Sequence, residues 1–413
     1  MRALTSSRSG RLADSRHDGV RIQAYVPHEL PPSPPLSLGA EDEELIARAN
    51  QAIGRLEGIR TVLPNARLFT YFYVRKEAVL SAQIEGTQSS LSDFLRFESG
   101  ATPGGPLADV EDVSDYIAAM QLGLDALSRG KRIDVELIQS IHWTLMKTGR
   151  GSHLAPGRLR TEQNWVGGAS PLLAEYVGPP ADLVPKLLES LCSYVTEARA
   201  PTLFKAAFAH AQFETIHPFF DGNGRLGRLL ITLILQADQV MTEPFLYLSL
   251  YFKQHRSEYY ECLQRVRFEG DWEYWVRFFS RGVLEVSNQA VETARALIAL
   301  AESDRTRIRA ELKVSSSSAL RVLDALAKRP ITTAKDLAKE SGVSIPTALS
   351  TLSALREQGI VAELTGRKKN MLFGYSAYIE LLNRGTELPA VNDARLSSAG
   401  ATVSAATRSG SKP

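Results

Sequence analysis

Twelve residues from His217 to Arg228 read His-Pro-Phe-Phe-Asp-Gly-Asn-Gly-Arg-Leu-Gly-Arg. They constrain the fold more than any other stretch, because they interrupt what would otherwise be one long apolar helical pattern. Before them, Leu203, Ala206, Ala207, His210 and Phe213 recur at helical spacing. Pro218 biases the preceding residue out of the helical region, so a helix should end near His217. Asp221-Gly222 and Asn223-Gly224 are two consecutive turn dipeptides whose glycines accept positive φ, and their backbone amides can converge into an anion-binding nest. From Arg225 the helical pattern resumes. Its first turn would add free N–H groups and the positive end of the helix dipole.

Residue types give this turn a chemistry. His217 is the side chain most readily neutral near pH 7 and could take a proton from an attacking hydroxyl. Asp221 is a hard oxygen ligand of the kind Mg²⁺ takes beside substrate phosphates. Arg225 and Arg228 lie three apart, hence on one helix face, and could hold the rest of a polyphosphate. A solvated surface turn is the plain alternative, and the co-occurrence of all these groups weighs against it. A metal triad of His210, Glu214 and His217 is disfavoured, since Pro218 ends the helix and no H-E-x-x-H is present.

The same string resembles the motif of the Fic family, H-x-F-x-[DE]-G-N-G-R-x-x-R, at every specified position. That resemblance implies transfer of AMP from ATP to a Ser, Thr or Tyr hydroxyl of a target protein, itself included, with release of pyrophosphate. It implies His217 as general base and Asp221 as Mg²⁺ ligand. Gly222, Asn223 and Gly224 become the phosphate cradle, with Arg225 and Arg228 on the outer phosphates. Upstream, Glu77 to Gly86 reads as a helix stopping at glycine, with Ser81 and Glu85 on one face. Alone, that Glu is a solvated residue. Beside the motif, Ser81, Glu85 and Gly86 resemble the family's inhibitory helix, [ST]-x-x-x-E-[GN], which implies a salt bridge from Glu85 to Arg228 and an autoinhibited enzyme. Two β-like runs around Trp165 and Tyr176, joined by a glycine turn, resemble the family's flap hairpin.

Near the C-terminus, a helix from Thr332, a turn at Ser341–Ser344, a helix over Ile345–Gln358 with Leu349, Leu352 and Leu355 inward, and a strand–turn–strand resemble a winged helix-turn-helix. From Arg321 to Asn370 there are nine Lys/Arg against five Asp/Glu. A wing carrying Arg367, Lys368 and Lys369, with Ser344, Thr347 and Ser350 on the second helix, makes DNA an alternative partner. Tyr251 and Tyr259 are read as helix packing before an adenine pocket. His142 is read as a packed core histidine.

The expected fold is therefore mainly α: a Fic-type helical core with a small β-hairpin flap, plus a C-terminal α+β winged helix. The expected units are a disordered arm (1–40), an N-terminal helical region with the inhibitory helix (41–110) and a catalytic core (111–290). A linker helix (291–319), the winged helix (320–387) and a disordered tail (388–413) follow. Cys192 and Cys262 lack C-x-x-C spacing, which argues against a disulfide framework or zinc cluster. No apolar run approaches a membrane span and no secretory core is visible, so a cytoplasmic protein without a membrane partner is expected. A formal net charge of +2 does not by itself select nucleic acid. The competing readings are a nucleotide-responsive DNA-binding regulator and an enzyme that removes AMP. A homodimer is left open.

Overall fold

The computed structural model describes residues 2–61, 66–100, 102, 104–149, 151–312, 316–366 and 371–387. The chain opens with an antiparallel hairpin, β1 (Gly10–His17) and β2 (Val20–Pro27), paired from Gly10 with Pro27 to His17 with Val20. This overturns the expectation of a disordered arm over residues 1–40. Averaging over the Ser-, Arg- and Pro-rich segment hid the apolar run in β2, where Ile22, Ala24, Tyr25 and Val26 are buried. Arg8 secures the base of the hairpin, reaching Glu273 at 2.8 Å and the carbonyl oxygens of Gly270, Pro34 and Pro35.

Helices α1 (Ala40–Ile59), α2 (Ala66–Ile84), α3 (Leu91–Glu98), α4 (Leu107–Ser128) and α5 (Val135–Met146) follow. The two-residue strands β3 (Trp165–Val166) and β4 (Tyr176–Val177) pair antiparallel to form the flap. Ile22 and Ala24 of the N-terminal hairpin pack on Ala174 and Val177 of the flap. Then come α6 (Val184–Glu197), α7 (Thr202–Ile216), α8 (Asn223–Ala237), α9 (Ser249–Gln254), α10 (Arg256–Glu269) and α11 (Trp272–Glu311). Helices α7 and α8 are buried nearly all round, polar residues included, as helices enclosed by others are. They pack on each other, with α4, α6, α10 and α11 around them. Of the unit expected as a linker helix over 291–319, residues 291–311 are the end of α11, which runs unbroken from Trp272 to Glu311, and residues 316–319 open the next helix.

Helix α12 (Ser316–Lys328) begins the last unit, followed by β5 (Ile331–Thr333), α13 (Ala334–Ser341), α14 (Ile345–Glu357), β6 (Val361–Glu363), β7 (Leu372–Tyr375) and α15 (Ser376–Asn383). The strands form one antiparallel sheet in the order β5-β7-β6. Leu352 and Leu355 of α14 are buried, whereas Leu349 is 40% exposed and does not point inward. At about 100° per residue the buried stripe is Ala348, Leu352 and Leu355, and position 349 turns off it. Arg367, Lys368 and Lys369 lie outside the described residues, as does the segment from 388 onward. No helix of the described residues is long and apolar enough to cross a membrane. Both cysteines are buried and free.

The Tyr25 ring lies between Tyr176 of the flap and Phe268 of α10, with centroids 6.1 and 5.8 Å away. Truncating this fully buried ring in Tyr25→Ala is expected to cost about 3 kcal/mol and to open the Arg8–His28 segment to trypsin. An unchanged denaturation midpoint with unchanged cleavage would show that the arm contributes no packing.

Candidate active site

The site grows from the end of α7. His217 caps that helix with its N–H on the Phe213 carbonyl, and its own backbone is left-handed at φ 49° and ψ 62°. For a side chain other than glycine this conformation is strained. The strain is held by two donors on its carbonyl oxygen, Arg160 Nε at 2.9 Å and Asn164 Nδ2 at 3.0 Å. The imidazole is 18% exposed. Its Nδ1 faces the Glu214 carbonyl oxygen at 3.4 Å and the Glu214 carboxylate at 4.0 Å. Donation from Nδ1 leaves the Nε2 lone pair available to accept a proton. Burial, then the charges of Arg267 and Arg160, push the pKa of His217 down to about 4. The ring is therefore neutral over the physiological range.

The turn that follows is braced internally. Asn223 Oδ1 accepts from the Phe219 N–H at 2.9 Å, and its Nδ2 donates to the Phe219 carbonyl at 2.8 Å. His142 Nε2 meets the Asp221 carbonyl at 2.9 Å, its Nδ1 accepts from the Gly157 N–H at 2.8 Å, and its ring stacks on Phe219. Burial pushes His142 down to about 4, so it too stays neutral. The expected packed histidine is thus also a support for the turn. Only the first glycine has positive φ, Gly222 at 75°. Gly224 lies within the first turn of α8, which starts at Asn223, two residues earlier than the sequence pattern predicts. The first bond of that helix runs from the Leu226 N–H to the Gly222 carbonyl at 3.0 Å. The amides of Asn223, Gly224 and Arg225 come before it and remain as first-turn donors.

Asp221 Oδ1 accepts from the Gly222 N–H at 2.6 Å, and Oδ2 makes no hydrogen bond among the described residues. One carboxylate oxygen beside free amides fits the sparse protein ligation of Mg²⁺, which takes one or two carboxylates, water and substrate phosphate. No cluster of three His, Cys, Asp or Glu suited to a metal occurs among the described residues. Arg225 Nη2 lies 3.0 Å from the Met146 sulfur, and its Nη1 lies 3.6 Å from Asp112.

The other arginine turns towards α2. Arg228 is 2% exposed; its Nε donates to Ser81 Oγ at 2.9 Å, and its Nη2 donates to the Ser81 carbonyl at 2.9 Å and to Glu85 Oε1 at 2.7 Å. The structure thus brings Ser81, Glu85, Gly224 and Arg228 together. A Cβ built on Gly224 would stand 2.3 Å from Glu85 Oε1, so the carboxylate presses directly onto the backbone of the turn. Burial raises the Glu85 pKa, but the charge and hydrogen bond of Arg228, then Arg225 and Arg256, outweigh it and leave the group below its ordinary value. Gly86 follows with φ 94° and ends the helical run.

Sequence reasoning missed Arg160, Asn164, Arg267 and the supporting use of His142. Arg267 Nη2 donates to the Glu214 carbonyl at 2.9 Å, and its guanidinium lies 4.0 Å from the centre of the Tyr176 ring. No local pattern marks these residues, because their partners lie tens of positions away. Tyr251 and Tyr259 are buried in helix packing, Tyr259 with its hydroxyl 2.8 Å from His210 Nε2.

Three family models match the chain: the Fic/DOC family N-terminal model over residues 43–125, the Fic/DOC family model over 132–235, and a winged helix-turn-helix DNA-binding model over 316–362. The protein adenylyltransferase fic-1 of Caenorhabditis briggsae is 31% identical over 202 residues, 48% of this chain and 37% of that protein. The protein adenylyltransferase Fic of Aedes aegypti is 32% identical over 209 residues, 48% of this chain and 38% of that one. The chain therefore spans well under half the length of these curated relatives. A Fic family protein from Desulfovibrio desulfuricans shares the fold with a TM-score of 0.55 at 22% identity, covering 83% of this chain and 98% of the other. The N-terminal and core Fic/DOC models meet on the two sides of one site, α2 with Glu85 and the turn with Arg228, so the chain carries Fic/DOC N-terminal and Fic/DOC domains, with a winged helix-turn-helix match behind them.

Proposed function

We propose that the chain is an autoinhibited protein adenylyltransferase, which transfers AMP from ATP to a Ser, Thr or Tyr hydroxyl of a target protein. The observation that carries this reading is the Glu85 carboxylate on Arg228 and against Gly224, an anion of the protein's own in a cradle built for anions. The names of the relatives in the comparison support the same chemistry. In the proposed reaction His217 Nε2 takes the proton from the acceptor hydroxyl as its oxygen attacks the α-phosphorus. The bond from that phosphorus to the bridging oxygen breaks, and pyrophosphate leaves. The amides of Asn223, Gly224 and Arg225 and the two arginines stabilise negative charge on the phosphates. Mg²⁺, held through Asp221, would neutralise phosphate charge. The flap offers the acceptor a short strand edge, on which main-chain hydrogen bonds bind without demanding one side-chain sequence.

Inhibition follows from competition for Arg228. A charge-assisted hydrogen bond is worth about 1.5–3 kcal/mol, or roughly ten- to hundred-fold in a two-state equilibrium. Glu85→Gly is therefore expected to raise AMP transfer by roughly ten- to hundred-fold, read as label from α-labelled ATP on this chain and on lysate proteins. His217→Ala in the same background should abolish it. Equal rates for the parent and Glu85→Gly would remove autoinhibition, and label surviving His217→Ala would remove the proton acceptor.

The pH dependence has a definite sign. A protonated His217 cannot accept a proton, so kcat/KM falls as pH drops through its free-enzyme pKa. That value is pushed to about 4, and the nearby Glu85 charge raises it, so Glu85→Gly lowers it further. The Glu85→Gly enzyme should keep a flat kcat/KM from pH 8 down to about 5.5. A half-loss near 6.5, the ordinary histidine value, would mean a solvated imidazole instead.

A second reading concerns the winged helix, and the family match over 316–362 favours it. Its helix α14 presents Ile345, Leu349, Ser350, Ser353 and Arg356 to the exterior, while Ser344 accepts from the Thr347 N–H and caps the helix. Duplex DNA binding through this face should weaken with salt and survive His217→Ala. Absence of binding to random duplex at low salt would leave the winged helix as a packing unit.

A further inference from the structure

Arg160 is 2% exposed and has no carboxylate partner among the described residues. Its donors all go to carbonyl oxygens. Nε donates to His217 at 2.9 Å, Nη1 to Glu162 at 3.0 Å, and Nη2 to Pro179 at 2.6 Å and to Ile216 at 3.4 Å. Its own N–H donates to the Pro218 carbonyl at 2.9 Å. These carbonyls belong to three places: the loop carrying His217, the chain entering the flap at Glu162, and the chain leaving it at Pro179. Gln163 and Asn164 repeat the link. Gln163 Nε2 donates to the Gly178 carbonyl at 2.7 Å across the base of the flap, and Asn164 Nδ2 shares the His217 carbonyl at 3.0 Å.

A guanidinium offers five donors fixed in one plane, so meeting these carbonyls sets the relative placement of the segments that carry them. Burying a cation without a counter-ion is costly. An apolar residue would be the simpler choice if filling space were the only need. The groups assigned to the nucleotide, from Asp221 to Arg228, make no hydrogen bond with Arg160.

We propose that Arg160 is a positioning residue that locks the backbone of His217 to both ends of the flap, so that the proton acceptor and the edge presenting the target hydroxyl move as one piece. This rests on the transferase reading. Arg160 thereby serves the acceptor half of the reaction and leaves the nucleotide half alone. Its positive charge also disfavours protonation of His217.

The test uses the full chain carrying Glu85→Gly, compared with the same chain bearing Arg160→Gln, Arg160→Lys or Asn164→Ala. Four quantities are measured: ATP affinity in Mg²⁺ by calorimetry, hydrogen exchange over residues 160–180 and 216–219, the imidazole titration of His217 by NMR, and label transfer to protein. Arg160→Gln should leave ATP affinity within about two-fold and speed exchange in both segments together by about ten-fold or more. It should also raise the His217 midpoint and cut label transfer by about a hundred-fold. Arg160→Lys keeps the charge but not the fork, so exchange should quicken with a smaller change in the midpoint. Asn164→Ala removes only the bonds from Asn164 Nδ2 to the His217 and Phe219 carbonyls and leaves those of Arg160, so it should give an intermediate effect, which keeps the test decisive even if Arg160→Gln does not fold.

Flap exchange that quickens while the His217 loop stays protected would overturn the lock. So would label loss matched by an equal loss of ATP affinity, which marks general disruption. If the Glu85→Gly parent transfers no label, the transferase reading fails by itself, and exchange and titration still decide whether Arg160 couples the two segments.

Discussion

A guanidinium as deeply buried as that of Arg228 must be answered inside the protein, and much of the site's layout follows from how it is answered. Two of its three hydrogen bonds go to Ser81, one to the hydroxyl and one to the carbonyl, and the third goes to Glu85. Leaving a buried cation unpaired costs several kcal/mol. The two Ser81 bonds do not depend on Glu85, so the cation keeps two neutral acceptors when the carboxylate turns away. A carboxylate oxygen and a phosphate oxygen satisfy the same donor. The arrangement thus suits exchange of one anion for another, and Gly224 supplies the room, since a side chain there would collide with the Glu85 carboxylate.

His217, the proposed proton acceptor, is secured by a different means. His217 carries a left-handed backbone, which costs of order 1–3 kcal/mol for a residue with a Cβ. That conformation lets the chain leave α7 sharply. The charge-assisted bond from Arg160, at about 1.5–3 kcal/mol, is of the right size to offset the strain. Neutrality of the ring comes from burial and from two arginines placed near it, not from an ion-paired carboxylate. Glu214, the nearest acid, is itself pushed up to about 7, first by burial.

Legibility in the sequence followed the range of the interaction. The turn from His217 to Arg228 could be read because proline, two glycines and the flanking apolar periodicity act locally. The resemblance to known Fic motifs supplied the pairing of Glu85 with Arg228, which spacing alone could not, as the two lie far apart in the chain. Arg160, Asn164 and Arg267 stayed invisible because each works on backbone carbonyls far away in sequence, and a carbonyl leaves no trace in residue identity. The N-terminal hairpin disappears under averaging, since Ile22, Ala24, Tyr25 and Val26 of β2 sit in a segment rich in Ser, Arg and Pro. Leu349 shows the opposite case: its helical spacing predicts an inward leucine, but the buried stripe runs through Ala348, Leu352 and Leu355 and leaves it outside.

How the contact between Glu85 and Arg228 can open depends on what holds α2. Ala78, Val79, Leu80, Ala82 and Ile84 are all essentially fully buried. Glu77 accepts from the Ser249 N–H at 3.1 Å and from the Tyr116 hydroxyl at 3.3 Å. Gln83 Nε2 reaches the carbonyls of Ser89 and Thr386 at 2.9 and 3.0 Å, so the segment after α15 also lies on this helix. Withdrawing α2 would expose several apolar side chains, each worth about 1.5–3 kcal/mol, besides breaking these bonds. Glu85 stands just past the last helical residue, and its side chain is 31% exposed. Swinging that one side chain gives up a single charge-assisted bond of about 1.5–3 kcal/mol. Swinging Glu85 leaves the apolar packing of α2 intact, so the contact can open without withdrawing the helix.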